Sequence, residues 1–217
     1  MADIKICGLT RLDDARAAEA AGATYGGVIL ADGSPRRVYP QDVLRLFEGV
    51  SLRRCGVFVN ADFDTIAAAV DEMNLEVVQL HGDEGPDLSR RLRGELGVET
   101  WKVLRPRSGD EFLRELDRFT ADVDGVLLDG WSKDARGGTG IPFPWAGVAL
   151  YRDRVPGNVR FAAAGGLGPA NVARMMDLLA PDIVDVSSGV ESAPGLKDHS
   201  LINEFAMAVR SAIARKE

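Results

Sequence analysis

The stretch RFAAAGGLGPANVARMMDLLAPDIVDVSSGVE, residues 160–191, decides the fold. Arg160–Ala164 is a short apolar run, and Ile183–Ser187 is a second. Continuous apolar runs of this length are what strands covered on both faces look like. Between them Pro169–Leu179 has helical spacing and opens with a proline, which suits a first helical turn. Each run ends in small and polar residues, Gly165-Gly166 after the first and Ser188-Gly189 after the second. The stretch is a β–α–β unit with glycine-bearing turns at the strand C-termini.

The same alternation extends outward over the whole chain. Strands are predicted at Asp3–Cys7, Tyr25–Leu30, Arg54–Val59, Val77–His81, Thr100–Leu104 and Gly125–Asp129, ahead of the two just named. Helical spacing separates them. Leu12–Ala21 repeats small apolar residues, and Asp62–Met73 starts on an N-capping aspartate and turns Ile66, Ala69, Val70 and Met73 inward. A last helix over Ser200–Ala214 carries Ile202, Phe205, Val209 and Ile213. No linker divides the chain, so residues 1–217 read as one domain. Eight β–α pairs in about 210 residues predict an α/β fold, a single (β/α)8 TIM barrel. The competing doubly wound open sheet would need a reversal of strand order, and no long insertion marks one.

Bulk properties narrow the function. A formal net charge of -7 argues against broad electrostatic capture of nucleic acid. There is no apolar run of the roughly 18 residues a membrane span requires. The opening MADIKICGLT lacks the basic-then-apolar layout of a secretory signal, so a cytoplasmic location is expected. Cys7 and Cys55 read as free thiols, and neither lies at ligand spacing from His81 or His199. Neither a metal nor a cofactor is expected.

In a barrel of this kind chemistry sits at the C-terminal strand ends. The glycines after strands seven and eight let backbone N–H groups approach a phosphate. One such pair is ordinary turn chemistry; two in adjacent strands favour a phosphate site. Cys7 ends strand one, either as a base or nucleophile once ionised or as a small buried hydrophobe. Asp129 ends strand six after three apolar residues, where burial would raise its pKa and suit it to act as an acid; the alternative is a loop-anchoring carboxylate. Arg36 is placed to meet a carboxylate or phosphate in a bidentate pair. His81 reads as a hydrogen-bonding support residue rather than a catalyst, and Cys55 lies at the wrong end for chemistry. The long connection 131–141 could cover a substrate.

Several blocks together resemble phosphoribosylanthranilate isomerase. They are Lys5-Ile-Cys-Gly-Leu-Thr10, Ser34-Pro-Arg36, Gly56-Val-Phe-Val-Asn60, Val78-Gln-Leu-His-Gly82, Leu127-Leu-Asp129, Gly137-Gly-Thr-Gly140, Ala164-Gly-Gly-Leu167, Asp185-Val-Ser-Ser-Gly-Val-Glu191 and Pro194-Gly-Leu-Lys-Asp198. They run in order over nearly the whole chain. The resemblance implies an intramolecular aldose–ketose isomerase of tryptophan biosynthesis, acting on a phosphorylated aminosugar by an Amadori rearrangement, as a monomer or homodimer. It implies Cys7 as general base, Asp129 as general acid and Arg36 against the anthranilate carboxylate. It implies the backbone of Gly165, Gly166, Ser188 and Gly189 around the phosphate, with Asp185 supporting the ribose hydroxyls or the cysteine. Lys5 and the phosphate-loop dipoles are candidate sources of the positive potential a thiolate requires. The chain departs from the family pattern at Gly27 and Leu30, where aromatic residues are more usual nearby, and at Pro144, where aspartate is usual. Two other readings stand beside this one. The related isomerase of histidine biosynthesis would place an aspartate where Cys7 stands, and a sugar-phosphate-binding barrel without turnover would not need both Cys7 and Asp129.

Overall fold

The computed structural model describes residues 2–130 and 145–215. Connection 131–141 and the Phe143-Pro144 step into the sixth helix lie outside the described residues. Eight parallel strands close into a barrel in sequence order. They are β1 Asp3–Cys7, β2 Tyr25–Ile29, β3 Arg53–Phe58, β4 Val77–Leu80, β5 Glu99–Leu104, β6 Gly125–Leu128, β7 Arg160–Ala163 and β8 Ile183–Val186. The helices outside are α1 Leu12–Ala20, α2 Pro40–Leu46, α3 Phe63–Met73, α4 Pro86–Arg91, α5 Gly109–Phe119, α6 Trp145–Ala149, α7 Val172–Leu179 and α8 His199–Ala214. Their apolar faces and the outer faces of the strands form the main core, which includes Ile6, Phe47, Ile66, Phe112, Phe161 and Phe205. Asp62 caps α3 as expected, its side chain accepting from the Thr65 N–H. No helix among the described residues is long and apolar enough to cross a membrane.

Two local features differ from the sequence reading. Helix α7 starts at Val172, not Pro169. The Asn171 side chain accepts from Gly168 N–H and donates to the Gly166 carbonyl, which holds residues 169–171 in a turn before the helix begins. A small antiparallel hairpin, β9 Glu191–Ala193 and β10 Leu196–Lys197, follows β8 and leads into α8.

Successive side chains of a strand point to opposite faces, so every second residue enters the barrel. The register aligns Asp185 with Lys5, Lys5 with Tyr25, Cys7 with Gly27 and Gly27 with Cys55. This stacks the interior in layers. At the floor, the Tyr25 hydroxyl accepts from the guanidinium groups of Arg53 and Arg160, which pair in turn with Glu99 and Asp3. Above it, Trp101, Cys55, Val77, Leu127, Ala162 and Ile183 fill the centre. One step further up β1, β4, β6 and β8 come Cys7, His81, Asp129 and Ser187, at the mouth. The hydroxyl serves the ion pairs of the floor, so Tyr25→Phe should cost about 1–2 kcal/mol of stability by leaving two cationic donors short of an acceptor. Denaturant unfolding checks this, and turnover should stay at the level of the unsubstituted chain.

Candidate active site

A cavity of about 400 Å³ opens at the mouth, lined by Cys7, Arg36, His81, Asp129, Gly165 and Asp185 among others. It gathers nearly every site residue predicted above. Gly165, Gly166 and Ser188 line it too. Gly189 stands behind this wall, where a Cβ would collide with the Leu167 carbonyl oxygen. Gly165 needs its glycine twice over: its φ is 88°, and a side chain would run into the Gly130 backbone. The N–H groups of Gly165 and Gly166 find no acceptor among the described residues, which leaves two donors at this wall for an anion to use.

Cys7 is buried at the end of β1. A Cβ on Gly27 would lie 2.9 Å from its sulfur, so glycine at this position makes room for the thiol. One layer below, the fully buried Lys5 ammonium donates to Asp185 Oδ2 at 2.8 Å. Burial pushes the Cys7 thiol up; the charge of Lys5, with a hydrogen bond from it, and the charge of Lys197 oppose this without overturning it. Lys5 is therefore a source of positive potential at the sulfur, as the sequence suggested, yet burial keeps the thiol protonated at neutral pH.

Asp129 goes the other way, which corrects the expected rise. Burial alone would raise its pKa, but the hydrogen bond and the charge of His81, the Arg105 guanidinium and the Gly130 N–H together outweigh burial and hold the carboxyl below its usual range. His81 Nε2 lies 3.3 Å from Asp129 Oδ2, and its Nδ1 lies 2.9 Å from Gln79 Nε2. The Arg105 guanidinium donates to the His81 carbonyl.

Arg36 does make a bidentate pair, but with a carboxylate of the chain itself. Its Nε and Nη2 donate to Glu191 Oε1 and Oε2 at 2.8 and 2.7 Å. Glu191 also accepts from the buried Lys197 ammonium at 2.8 Å and from the Gly195 N–H. Two cations around one carboxylate leave a net positive charge at this wall, and the Nη1 edge of Arg36 is outside the Glu191 pair. Gln79, Glu191 and Lys197 were not singled out as site residues from the sequence. Glu191 and Lys197 flank the Pro194-Gly195 turn, and only the hairpin brings them together against Arg36. Among the described residues no cluster of histidine, cysteine, aspartate and glutamate is arranged to hold a metal ion.

Open N–H groups after β7 and titratable side chains at the strand C-termini place the chain in the class of (β/α)8 barrels that handle phosphorylated small molecules. The comparisons with known proteins are specific. Residues 4–208 match the profile of the family described as PRAI, N-(5'phosphoribosyl)anthranilate (PRA) isomerase. A relative from Bacillus velezensis, N-(5'-phosphoribosyl)anthranilate isomerase, is 40% identical over 92% of this chain and 91% of its own length. The crystal structure of phosphoribosyl anthranilate isomerase from Thermotoga maritima aligns with a TM-score of 0.86 at 32% identity, covering 97% of this chain and 100% of that one. A second structure of such an isomerase, in complex with reduced 1-(o-carboxyphenylamino)-1-deoxyribulose 5-phosphate, aligns with a TM-score of 0.83 at 32% identity over the same shares. The chain belongs to the phosphoribosylanthranilate isomerase family and is an isomerase.

If Glu191 orients Arg36, then Glu191→Gln keeps the shape but removes the charge that holds the guanidinium. KM should rise roughly tenfold, the scale of one charge-assisted bond, with kcat changed less than KM. Steady-state kinetics on the folded variant checks this; an unchanged KM would show that Arg36 needs no such anchor.

Proposed function

We propose that the chain converts N-(5-phospho-β-D-ribosyl)anthranilate to 1-(2-carboxyphenylamino)-1-deoxyribulose 5-phosphate, an intramolecular oxidoreduction within tryptophan biosynthesis carried out in the cytoplasm. The single observation that carries the reading is the thiol of Cys7 and the carboxyl of Asp129 lining one cavity beside a glycine wall with open N–H groups. The phosphate sits on the backbone of Gly165, Gly166 and Ser188. Gly189 supports this wall from behind. The anthranilate carboxylate meets the edge of Arg36 that Glu191 does not occupy. Asp185 Oδ1 has no hydrogen-bond partner among the described residues, and it accepts from a ribose hydroxyl.

The chemistry needs two proton handlers. Asp129 protonates the ring oxygen as the C1–O bond breaks, and the nitrogen lone pair forms the C1=N iminium. The iminium acidifies the C2 hydrogen, which the Cys7 thiolate removes. The C–H electron pair becomes a C1=C2 double bond and the iminium pair returns to nitrogen. Protonation at C1 and loss of the C2 hydroxyl proton give the ketone. C1 is reduced and C2 oxidised within one molecule, so no external oxidant or reductant enters.

The resting site holds the forms opposite to those the first steps use, a protonated thiol and an ionised carboxyl. The two arrangements contain the same single proton, and the active one is the minor isomer. The sign of the pH dependence follows. When pH rises through the raised Cys7 pKa, the pair loses its only proton, and no acid remains for the ring oxygen. Activity should therefore stay flat from neutral pH to the ordinary thiol range and fall above it. A rate that climbs through that range would contradict the assignment.

The direct test generates the substrate in place from anthranilate and phosphoribosyl pyrophosphate with excess transferase and follows its fluorescence. Turnover should collapse by roughly 10²–10⁴-fold in Cys7→Ser and in Asp129→Asn, the range for loss of a general acid or base. No turnover by the folded, unsubstituted chain would sink the proposal.

A further inference from the structure

The barrel repeats one backbone arrangement on opposite sides of its ring. Among the eight strands, β3 and β4 stand four places from β7 and β8. The second residue after β3 is Asn60 and the second after β7 is Gly165; both are left-handed, with φ of 53° and 88°. The second residue after β4 is Gly82, and after β8 it is Ser188. After β7 the N–H groups of Gly165 and Gly166 are left for an anion. After β3 and β4 an anion is already in place, and it belongs to the chain. Glu84 Oε1 accepts from the Asn60 N–H at 2.7 Å, and Glu84 Oε2 accepts from the Gly82 N–H at 2.9 Å. Lys102 Nζ, from β5, donates to the same Oε2 at 2.7 Å. Glu84 and Lys102 are both buried. Backbone N–H groups and an ammonium that converge in this way are the donors a phosphate uses. A left-handed residue other than glycine is uncommon, and Asn60 is held so by its own side chain, whose Oδ1 accepts from the Asp83 N–H at 2.7 Å.

We propose that Glu84 is a specificity residue: its carboxylate fills an anion-binding nest after β3 and β4, opposite the open turns after β7, and keeps a second phosphate out of the barrel. An incoming phosphate would have to share one ammonium with a buried carboxylate or strand that carboxylate without a partner, and either is costly. Without Glu84 the nest is competent. Lys102 also donates to the Gly82 carbonyl at 2.8 Å, which gives it a second anchor. Asn60 and Asp83 are exposed, so an anion can enter from solvent. Arg105 adds positive charge near Lys102, and the exposed Asp83 carboxylate, which opposes it, is screened by water. The comparison with β7 rests on the phosphate reading proposed above; the filling of the nest by Glu84 does not. A carboxylate that only ties two turns together would look the same in the folded chain. The two roles part when the carboxylate is removed.

The test is the number of inorganic phosphate ions bound by the full chain, measured by titration calorimetry. Glu84→Ala should bind one more phosphate than the unsubstituted chain. Adding Lys102→Met to Glu84→Ala should abolish the gain. A folded Glu84→Ala that gains no phosphate would overturn the proposal and leave Glu84 as a tie between the turns. Removing Glu84 strands a buried ammonium, so refolding supplies a second measurement. Phosphate should raise the refolding yield and thermal midpoint of Glu84→Ala well beyond chloride at equal ionic strength, and beyond its effect on the unsubstituted chain. Equal effects of the two salts on Glu84→Ala would also overturn the proposal. The phosphate reading of the β7 wall fails separately: an unsubstituted chain that binds none, beside a Glu84→Ala that binds one, would remove that reading and support the filled nest.

Discussion

The mouth depends on one buried ion pair, Lys5 with Asp185. The two residues are register partners on β1 and β8, the strands whose pairing closes the barrel. Two charges in an interior are costly unless each has the other, and removing one strands its partner. Burial alone would lower the Lys5 pKa, but Asp185 raises it above the usual lysine value and keeps the ammonium charged. That charge lies one layer beneath Cys7. The pair thus joins the two closing strands and sets the potential at the sulfur, and Asp185, which lines the cavity, keeps one buried oxygen without a partner among the described residues.

The rest of the site follows the same two-layer pattern. A residue at the mouth is held by one a step below or beside it: Cys7 by Lys5, His81 by Gln79, Arg36 by Glu191. Each supporting contact uses a buried or half-buried group, where hydrogen bonds are strong and an unpaired group is expensive. Geometry fixed this way does not have to be assembled when a substrate enters. The protons are arranged with similar economy. With the thiol protonated and the carboxyl ionised, the resting enzyme has the proton distribution that ring opening and C2 deprotonation would leave behind.

Much of this was legible in the chain. Eight repeats of strand and helix spacing encode the barrel, because a strand buried on both faces must be apolar along its length. The strand-end rule then located Cys7, Asp129, Asp185 and the glycine turns, since the alternation that buries Ile6 and Leu128 outward turns their neighbours inward. Contacts between distant segments were not legible. The partner of Arg36 is 155 positions away, and nothing local in either stretch announces it. Asp129 was expected to be raised because burial can be read from three apolar neighbours, whereas the His81 and Arg105 contacts that reverse the direction come from other strands. Helix α7 started late for a related reason: proline permits a first turn, but the Asn171 side chain had already claimed the backbone around Gly166 and Gly168.

The central claim is that one proton is shared between Cys7 and Asp129 and rests on the sulfur. It is tested most directly by titrating the ultraviolet absorbance of the Cys7 thiolate in the free enzyme, as the difference between the unsubstituted chain and Cys7→Ser. Cys55, pushed up to about 12, stays silent across the range. The account predicts no thiolate at neutral pH and a midpoint above the ordinary thiol value. A Cys7 thiolate already present at neutral pH in the empty enzyme would contradict it.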